Sequence, residues 1–347
     1  MEIQLEGQYL YKLNLLQRGP SGNSYRNTCH VVKNNITIDS NGNCFICNCD
    51  GWLPVPVGQV DDFDSFESVF ESDIAQYLQK DIADKKYTYC STELCGVSHE
   101  DVCANPSLYI NIDNSCNLQC PSCRIEKVMH INGEQYNKRL HQIETVVEWL
   151  HKTVQELDVI MSGNGDPLAS LICRPLLKNW PLDKHRLTLH TNGLLIEKQL
   201  KNQPVLDQVN QFRISVDAGS AKVYSQVRVG GNWDTLIRNL DFVSTLKKPT
   251  ELIFTVQNNN ISDLENFCQL VEHYKFDGSV TQLDNWSTWG RPGFEEWTHA
   301  NGGDFLHHDV LDKSHANYTY ARQMIQHCMT KYKRIRYTPA IATRLEL

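Results

Sequence analysis

The sequence predicts an α/β fold: a partial, TIM-like (β/α)6 barrel preceded by a small cysteine-rich N-terminal domain. Three observations predict it. Between residues 106 and 285, six short apolar runs alternate with helical patterns, as parallel strands with crossover helices require. Polar motifs recur at the C-terminal ends of these runs, where the loops of such a fold converge. Seven of the thirteen cysteines precede residue 104, in irregular sequence. The expected domains are therefore 1–105, the barrel at 106–285, and a C-terminal extension at 286–347 that is rich in aromatic and histidine residues and ends in a helix.

The first strand is read at 108–112 and its helix at 134–155, where Leu140, Ile143, Val147, Leu150 and Val154 recur at three- and four-residue steps. A strand at 157–161 leads through a glycine-rich turn to a helix near 169–180. A strand at 186–191 precedes a helix at 196–209. A strand at 211–217 precedes one at 233–246, and a strand at 251–257 precedes one at 262–274. The sixth strand is 279–283. Right-handed crossovers between parallel strands follow from this alternation.

The strand ends carry the chemistry. After the first strand comes Cys116-Asn-Leu-Gln-Cys120-Pro-Ser-Cys123, a Cys-x3-Cys-x2-Cys loop. Three thiolates on one tight loop can hold three irons of a 4Fe–4S cube and leave the fourth without a protein ligand, whereas an electron-carrying cluster normally has four cysteines. Ser162-Gly163-Asn164-Gly165-Asp166-Pro167 follows the second strand and His190-Thr191-Asn192-Gly193 the third. Ser215-Val216-Asp217 ends the fourth, and Gln257-Asn258-Asn259-Asn260 follows the fifth.

Bulk composition is that of a globular protein: 41% hydrophobic and 21% charged. A net charge of −8 gives no reason to expect nucleic acid or anionic lipid as a partner. No apolar run reaches the length of a membrane span, so no membrane partner is expected. The N-terminus lacks the basic and apolar regions of a signal peptide. A cytoplasmic, reducing setting is therefore expected, where metal or cluster ligation is a better default for cysteine than disulfides. Cys173, Cys268 and Cys328 stand in apolar surroundings and read as ordinary buried thiols.

With its cysteine loop and strand order, the chain resembles the radical SAM superfamily. The resemblance implies an enzyme whose 4Fe–4S cluster, held by Cys116, Cys120 and Cys123, binds S-adenosylmethionine and yields a 5′-deoxyadenosyl radical. Gly163, Asn164, Gly165 and Asp166 correspond to the family's Gly-Gly-Glu-Pro segment near the methionyl amine. Here Asn164 replaces a glycine and Asp166 the glutamate. By the same resemblance Ser215 and Asp217 would approach the ribose or methionyl end, Arg228 the carboxylate, and Asn260 the adenine or ribose. An electron donor such as a flavodoxin or ferredoxin is implied. Read from the residues alone, Asp166 and Asn260 also suit helix caps, Ser215 and Asp217 a strand end, Arg228 a surface ion pair, and His190 a barrel interior.

The front resembles the first half of the SPASM extension, which binds auxiliary iron–sulfur clusters in peptide-modifying members: Cys29, twelve residues, Gly42, four residues, Cys47. Asn41-Gly42 suits a hairpin turn. At least one auxiliary iron–sulfur cluster is expected, with Cys29, Cys47, Cys90 and Cys95 as leading ligands and Cys103, Cys49 and Cys44 as rivals. The resemblance implies a peptide or protein substrate in maturation of a ribosomally made peptide, delivered by a separate recognition protein. Two alternatives stand beside it: radical modification of a small molecule, and a zinc-stabilised interaction module, since Cys44-x2-Cys47 is also a zinc-knuckle spacing.

Overall fold

The computed structural model describes residues 3–6, 9, 13–14, 18–19, 29–47, 53–91, 105–124, 126–162, 164–181, 183–285, 289 and 305–346. Two compact units emerge, each made of two chain segments. One comprises Met1–Asn114 with His130–Thr188, the other Ser115–Met129 with Leu189–Leu347. These units divide the chain differently from the three expected zones.

In the first unit, α1 (Val31–Asn34) leads into β1 (Asn35–Ile38), which turns back as β2 (Asn43–Phe45) and β3 (Gly58–Gln59). Asp39 shapes the turn by accepting the amides of Asn41 (2.8 Å) and Asn43 (2.9 Å). Gly42 sits at φ +82°, and a Cβ there would lie 2.1 Å from Gln142 Nε2. Helices α2 (Ser68–Glu71) and α3 (Asp73–Ala83) follow. The cysteine-rich front is not a separate layer: β1 pairs in parallel with β4 (Ser107–Ile110), and β4 with β5 (Asp158–Met161).

Helix α4 (Glu134–Lys152) buries Ile143, Val146, Trp149 and Leu150. It stops before the expected end: Thr153 is extended and bonds Glu67 (2.5 Å), which leaves Val154 94% exposed rather than on the apolar face. The expected helix at 169–180 shrinks to α5 (Arg174–Lys178). Ahead of it, Asp166 and Ser170 take the amides of Leu168, Ala169 and Cys173 into side-chain-closed turns, which compete with helix.

Strand β6 (Arg186–Thr191) has the predicted bounds, and the division between the units falls within it. In the second unit, β7 (Val209–Ser215), β8 (Thr250–Thr255), β9 (Asp277–Thr281) and β10 (Ile335–Tyr337) pair in parallel. The expected helix at 196–209 is two pieces, α6 (Ile196–Leu200) and α7 (Val205–Gln208), because Asn202 at φ +68° and Pro204 interrupt it. Helix α8 (Ala221–Val227) escaped the sequence reading; Ser220 caps it. Helix α9 (Trp233–Leu246) matches its prediction, capped by Asn232. Helix α10 (Leu264–Tyr274) follows a 3-10 turn at Ile261–Asp263.

The tail adds α11 (Phe305–His308), α12 (Tyr318–Lys331), β10 and α13 (Pro339–Leu345). The fold is thus α/β with a mostly parallel sheet, and the sheet is open, with β3 and β10 as its ends. Trp289 packs with Leu283 and Phe305 and stacks on His308 (4.5 Å), a core role; Trp286, Trp297 and His299 lie outside the described residues. The basic run at 331–336 is largely neutralised: Lys331 meets Glu265 (2.6 Å) and Arg336 meets Glu251 (2.9 Å). No helix among the described residues is long and apolar enough to cross a membrane.

Gly219 joins β7 to α8, and a Cβ there would fall 2.1 Å from the backbone nitrogen of Phe267 on α10. Gly219→Ala is expected to cost about 1–3 kcal/mol through overpacking. A denaturant midpoint equal to that of the parent chain would contradict this close approach.

Candidate functional site

The cysteine loop belongs to the second unit and is closed by its own backbone. Cys116 N–H donates to Val128 O (2.9 Å), and Gln119 N–H to Val229 O (2.9 Å). Cys120 O accepts from the amides of Cys123 (2.9 Å) and Arg124 (3.1 Å), so the last two cysteines sit on one tight turn. Cys116 and Cys120 are buried, while Cys123 is exposed.

Each sulfur faces at least one N–H donor. Cys116 Sγ receives Leu118 N–H (3.4 Å) and Asn192 Nδ2 (3.8 Å). Cys120 Sγ receives Arg228 Nη1 (3.8 Å), and Cys123 Sγ receives Arg124 Nη2 (3.7 Å). The turn after β6 aims Asn192. Thr191 Oγ1 takes Gly193 N–H (3.2 Å), and Asn192 Oδ1 takes Leu194 N–H (3.1 Å). Gly193 holds φ +82°, where a Cβ would meet Ile214 Cγ2 at 2.8 Å. The Asn192 amide is left to donate to Asn117 Oδ1 (2.8 Å) as well as to the sulfur.

Burial pushes the Cys120 thiol up to about 11; Arg228 opposes the rise, while Cys123, Cys116 and Asp217 add to it. Without a metal this thiol is neutral at pH 7, and a bound metal takes the place of its proton. Among the described residues no three His, Cys, Asp or Glu side chains form a group that could hold a metal ion. The three thiols nevertheless suit the donor set of a cube, whose separate corner irons each take one cysteine. N–H donors at all three sulfurs suit the negative charge of such a cluster.

Behind Cys120 stands a buried polar bracket. Arg228 Nη2 pairs with Asp217 Oδ2 at 2.7 Å. Asp217 Oδ1 accepts Thr255 N–H (2.8 Å), and its carbonyl accepts Asn260 Nδ2 (3.0 Å). Asp217 adopts φ +57°, a left-handed conformation that Asp tolerates better than most residues. Burial raises the Asp217 carboxyl, and Arg228 and the Thr255 amide oppose the rise. Burial also works against the Arg228 charge, but Asp217 and Cys120 outweigh it, so the guanidinium stays protonated. Its Nε is buried with no hydrogen-bond partner among the described residues.

Asn260 is fully buried. Its amide donates to Thr255 O (2.9 Å) and Asp217 O, and its Oδ1 accepts Gln257 N–H (2.9 Å). Ser215 Oγ lies 2.9 Å from His190 Nε2. Burial, with Arg213 and Arg228 adding, pushes the His190 pKa down to about 3. The ring is therefore neutral at pH 7.

In the first unit, Asp166 is buried and accepts Leu168 N–H (2.9 Å) and Ala169 N–H (3.2 Å) through Oδ1. This is the capping reading of that residue. Asn164 and Gly165 precede it; Gly163 lies outside the described residues. Asp113 anchors the segment, taking Ser170 Oγ (2.5 Å) and Arg139 Nη1 (3.4 Å). At the front, Cys44 and Cys47 are buried and Cys29 and Cys90 half-buried. Burial, and then Asp39, Asp62 and Asp61, push the Cys44 thiol well up, which disfavours its thiolate. Cys49, Cys95 and Cys103 lie outside the described residues.

Of the predicted residues in the second unit, Cys116, Cys120, Cys123, Asp217, Arg228 and Asn260 form one connected hydrogen-bonding group, and Ser215 pairs with His190 beside it. Asn192 and Arg124 were missed as sulfur donors. Asn192 carried a signal, since Asn-Gly after a strand marks a turn at a strand end.

Residues 110–271 match the family model described as the Radical SAM superfamily. This stretch is a Radical SAM domain, and the protein is an enzyme. The superfamily implies a 4Fe–4S cluster and S-adenosylmethionine. Among curated proteins, the chain is 25% identical over 184 residues to the probable GTP 3′,8-cyclase of Methanocaldococcus jannaschii, spanning 51% of this chain and 57% of that protein. It is 27% identical over 165 residues to the AdoMet-dependent heme synthase of Oleidesulfovibrio alaskensis, spanning 47% and 41%. The chain spans about half the length of the curated relatives it matches. Among solved structures, similar chains include Streptococcus suis SuiB bound to S-adenosylmethionine (TM-score 0.44, 14% identity, 67% of this chain and 49% of that one). Native anSMEcpe with bound AdoMet and Cp18Cys peptide is another (TM-score 0.40, 17%, 54% and 53%).

Two outcomes test the electrostatics. The unfolded chain binds the His190 proton near pH 6.5 and the folded chain only near 3. Its contribution to stability is therefore full above about pH 6.5 and is lost as pH falls toward 3. His190→Gln is expected to flatten the stability–pH slope in that window; an unchanged slope contradicts the neutral buried ring. Arg228→Leu strands the Asp217 charge and is expected to cost about 3–5 kcal/mol in urea denaturation. Adding Asp217→Asn should return part of that loss.

Proposed function

We propose that this chain is a radical S-adenosylmethionine enzyme that acts on a peptide or protein substrate, as in maturation of a ribosomally made peptide. The observation that carries the radical chemistry is the Cys116–Cys120–Cys123 loop, with N–H donors aimed at all three sulfurs, inside a segment that matches the superfamily. When bound, the cluster and S-adenosylmethionine supply a 5′-deoxyadenosyl radical able to take hydrogen from an unactivated carbon.

The chain's own residues hold and shape that site. The three cysteines ligate the cluster, while Asn192, Arg124 and Arg228 place positive dipole or charge against its sulfurs. Arg228 Nε, buried and unpartnered among the described residues, suits the cofactor carboxylate. Ser215 is the candidate for the ribose or methionyl end. Asp217 and Asn260 act by positioning, because their polar atoms are committed to Arg228 and to backbone. Asn164, Gly165 and Asp166, with Gly163, are proposed for the methionyl amine.

The peptide assignment rests on the Cys29–Gly42–Cys47 pattern and on the Asn-Gly hairpin of β1 and β2, both as in a SPASM-like front. Cys29, Cys47, Cys90 and Cys95, or Cys103, Cys49 and Cys44 in their place, are proposed to hold an auxiliary cluster. A separate recognition protein and a flavodoxin- or ferredoxin-type donor complete this reading. Small-molecule substrates are a second reading, favoured by the names of the curated relatives, a GTP cyclase and a heme synthase.

Anaerobically purified, reduced protein given S-adenosylmethionine is expected to release 5′-deoxyadenosine, and Cys116→Ala, Cys120→Ala or Cys123→Ala to abolish release. About eight irons per chain mark an auxiliary cluster and about four its absence. Colourless protein with stoichiometric zinc and no nucleoside product overturns the reading. A mass shift on a co-expressed precursor peptide separates the peptide substrate from the small-molecule one.

A further inference from the structure

Two cysteines outside the cluster loop and the front are not ordinary isolated thiols. Cys268 on α10 and Cys328 on α12 stand sixty positions apart in sequence, and both have 0% exposure. Both are free, and their side chains are hydrogen-bonded to each other. The two helices are also clamped at one flank of the pair. Glu265, one turn before Cys268, receives Lys331 Nζ (2.6 Å), His327 Nε2 (3.2 Å) and Tyr332 Oη (3.2 Å), all from α12 or its C-cap. The sulfurs are thus held together by tertiary structure, in register with a charged clamp.

The pair is chemically asymmetric. Donation from Cys268 lowers the Cys328 thiol, against burial and Glu265, with Lys331 helping. The same hydrogen bond, with burial, raises Cys268. Tyr337 on β10 faces the pair: the two sulfurs help to raise its phenol after burial does, and its hydroxyl is buried with no acceptor among the described residues. A thiolate at the pair would offer that hydroxyl an acceptor. Buried cysteines are usually inert. Here the second thiol already lies within reach of the first, so the ring-closing step needs no search by the chain.

We propose that Cys268 and Cys328 are a redox modification site that closes an intramolecular disulfide between α10 and α12 on exposure to peroxide. The Cys328 thiolate attacks one peroxide oxygen, the O–O bond breaks, and hydroxide leaves as water after taking a proton. The resulting sulfenic acid is attacked by Cys268 sulfur. The S–S bond forms, the S–O bond breaks, and hydroxide leaves with the Cys268 proton as a second water. Two thiols lose two electrons, and hydrogen peroxide gains them. A dithiol reductant reverses the change. The closed disulfide would join the helix between β8 and β9 covalently to the helix that precedes the edge strand β10.

The full-length protein is treated with hydrogen peroxide, unfolded, alkylated with iodoacetamide and digested for mass spectrometry. The peptides bearing Cys268 and Cys328 are expected joined, 2 Da below their summed mass as for any disulfide. This pair should exceed any pair involving the buried Cys173 by about tenfold or more. Dithiothreitol should separate them. The oxidised chain should melt several degrees higher than the reduced one, and Cys268→Ser should remove that rise and let dimedone trap sulfenic acid on Cys328. Recovery of both peptides singly and alkylated, or of Cys328 over-oxidised without a partner, overturns the proposal. Because the site needs neither the cluster nor the cofactor, its failure leaves the proposed radical chemistry standing, and the reverse holds equally.

Discussion

The buried pair of Arg228 and Asp217 is the constraint around which the second unit's site is organised. Neither charge is tolerable there alone. Stranding one member of such a pair costs several kcal/mol, whereas the pair itself adds little net stability over apolar packing. Its value is therefore geometric. Asp217 must sit at the end of β7 in a left-handed conformation to take the Thr255 amide, and this fixes where Arg228 reaches. Arg228 then lies against Cys120 Sγ. Asn260 closes the arrangement by bonding the backbone on both sides, so the ends of β7 and β8 cannot drift apart without breaking two donors.

That bracket also explains a division of labour among residues that sequence resemblance treats alike. Asp217 and Asn260 occupy positions implied for cofactor contact, yet their polar groups are consumed by the protein. Arg228 keeps one buried donor unused among the described residues, and Ser215 is tied only to a histidine that burial holds neutral. A group can receive a ligand only with capacity that the fold has not already taken. The sulfurs show the complementary case. Their donors come from three separate segments, the loop itself, the turn after β6 and the end of α8, so thiolate charge is anticipated in several places at once.

Elsewhere the fold spends its polar groups on structure. Asp166 and Ser170 replace the first turns of an expected helix with capped turns, and Asp113 ties them to the strand end that precedes the cysteine loop. The tail settles its own charges: its basic run meets Glu265 and Glu251, and its aromatic and histidine residues stack into a small core around Trp289.

The sequence by itself determined the alternation of strands and helices from residue 106 to 285, because periodicity and turn residues are local signals. β6 and α9 fall where they were read. It also determined the cysteine loop, because three thiols within eight residues need no distant partner to share a turn. Tertiary structure alone decided what depended on distant atoms. Helix α4 stops at Lys152 because Glu67 waits for Thr153. β1 joins β4, and β10 joins β9, through backbone bonds that leave no mark in composition. The partners of Arg228, the idle state of His190 and the meeting of Cys268 with Cys328 likewise depend on contacts between residues far apart in the chain. Pattern reveals which side chains face a core; only packing reveals which of them meet, and hydrogen bonds and buried charges are set by that meeting.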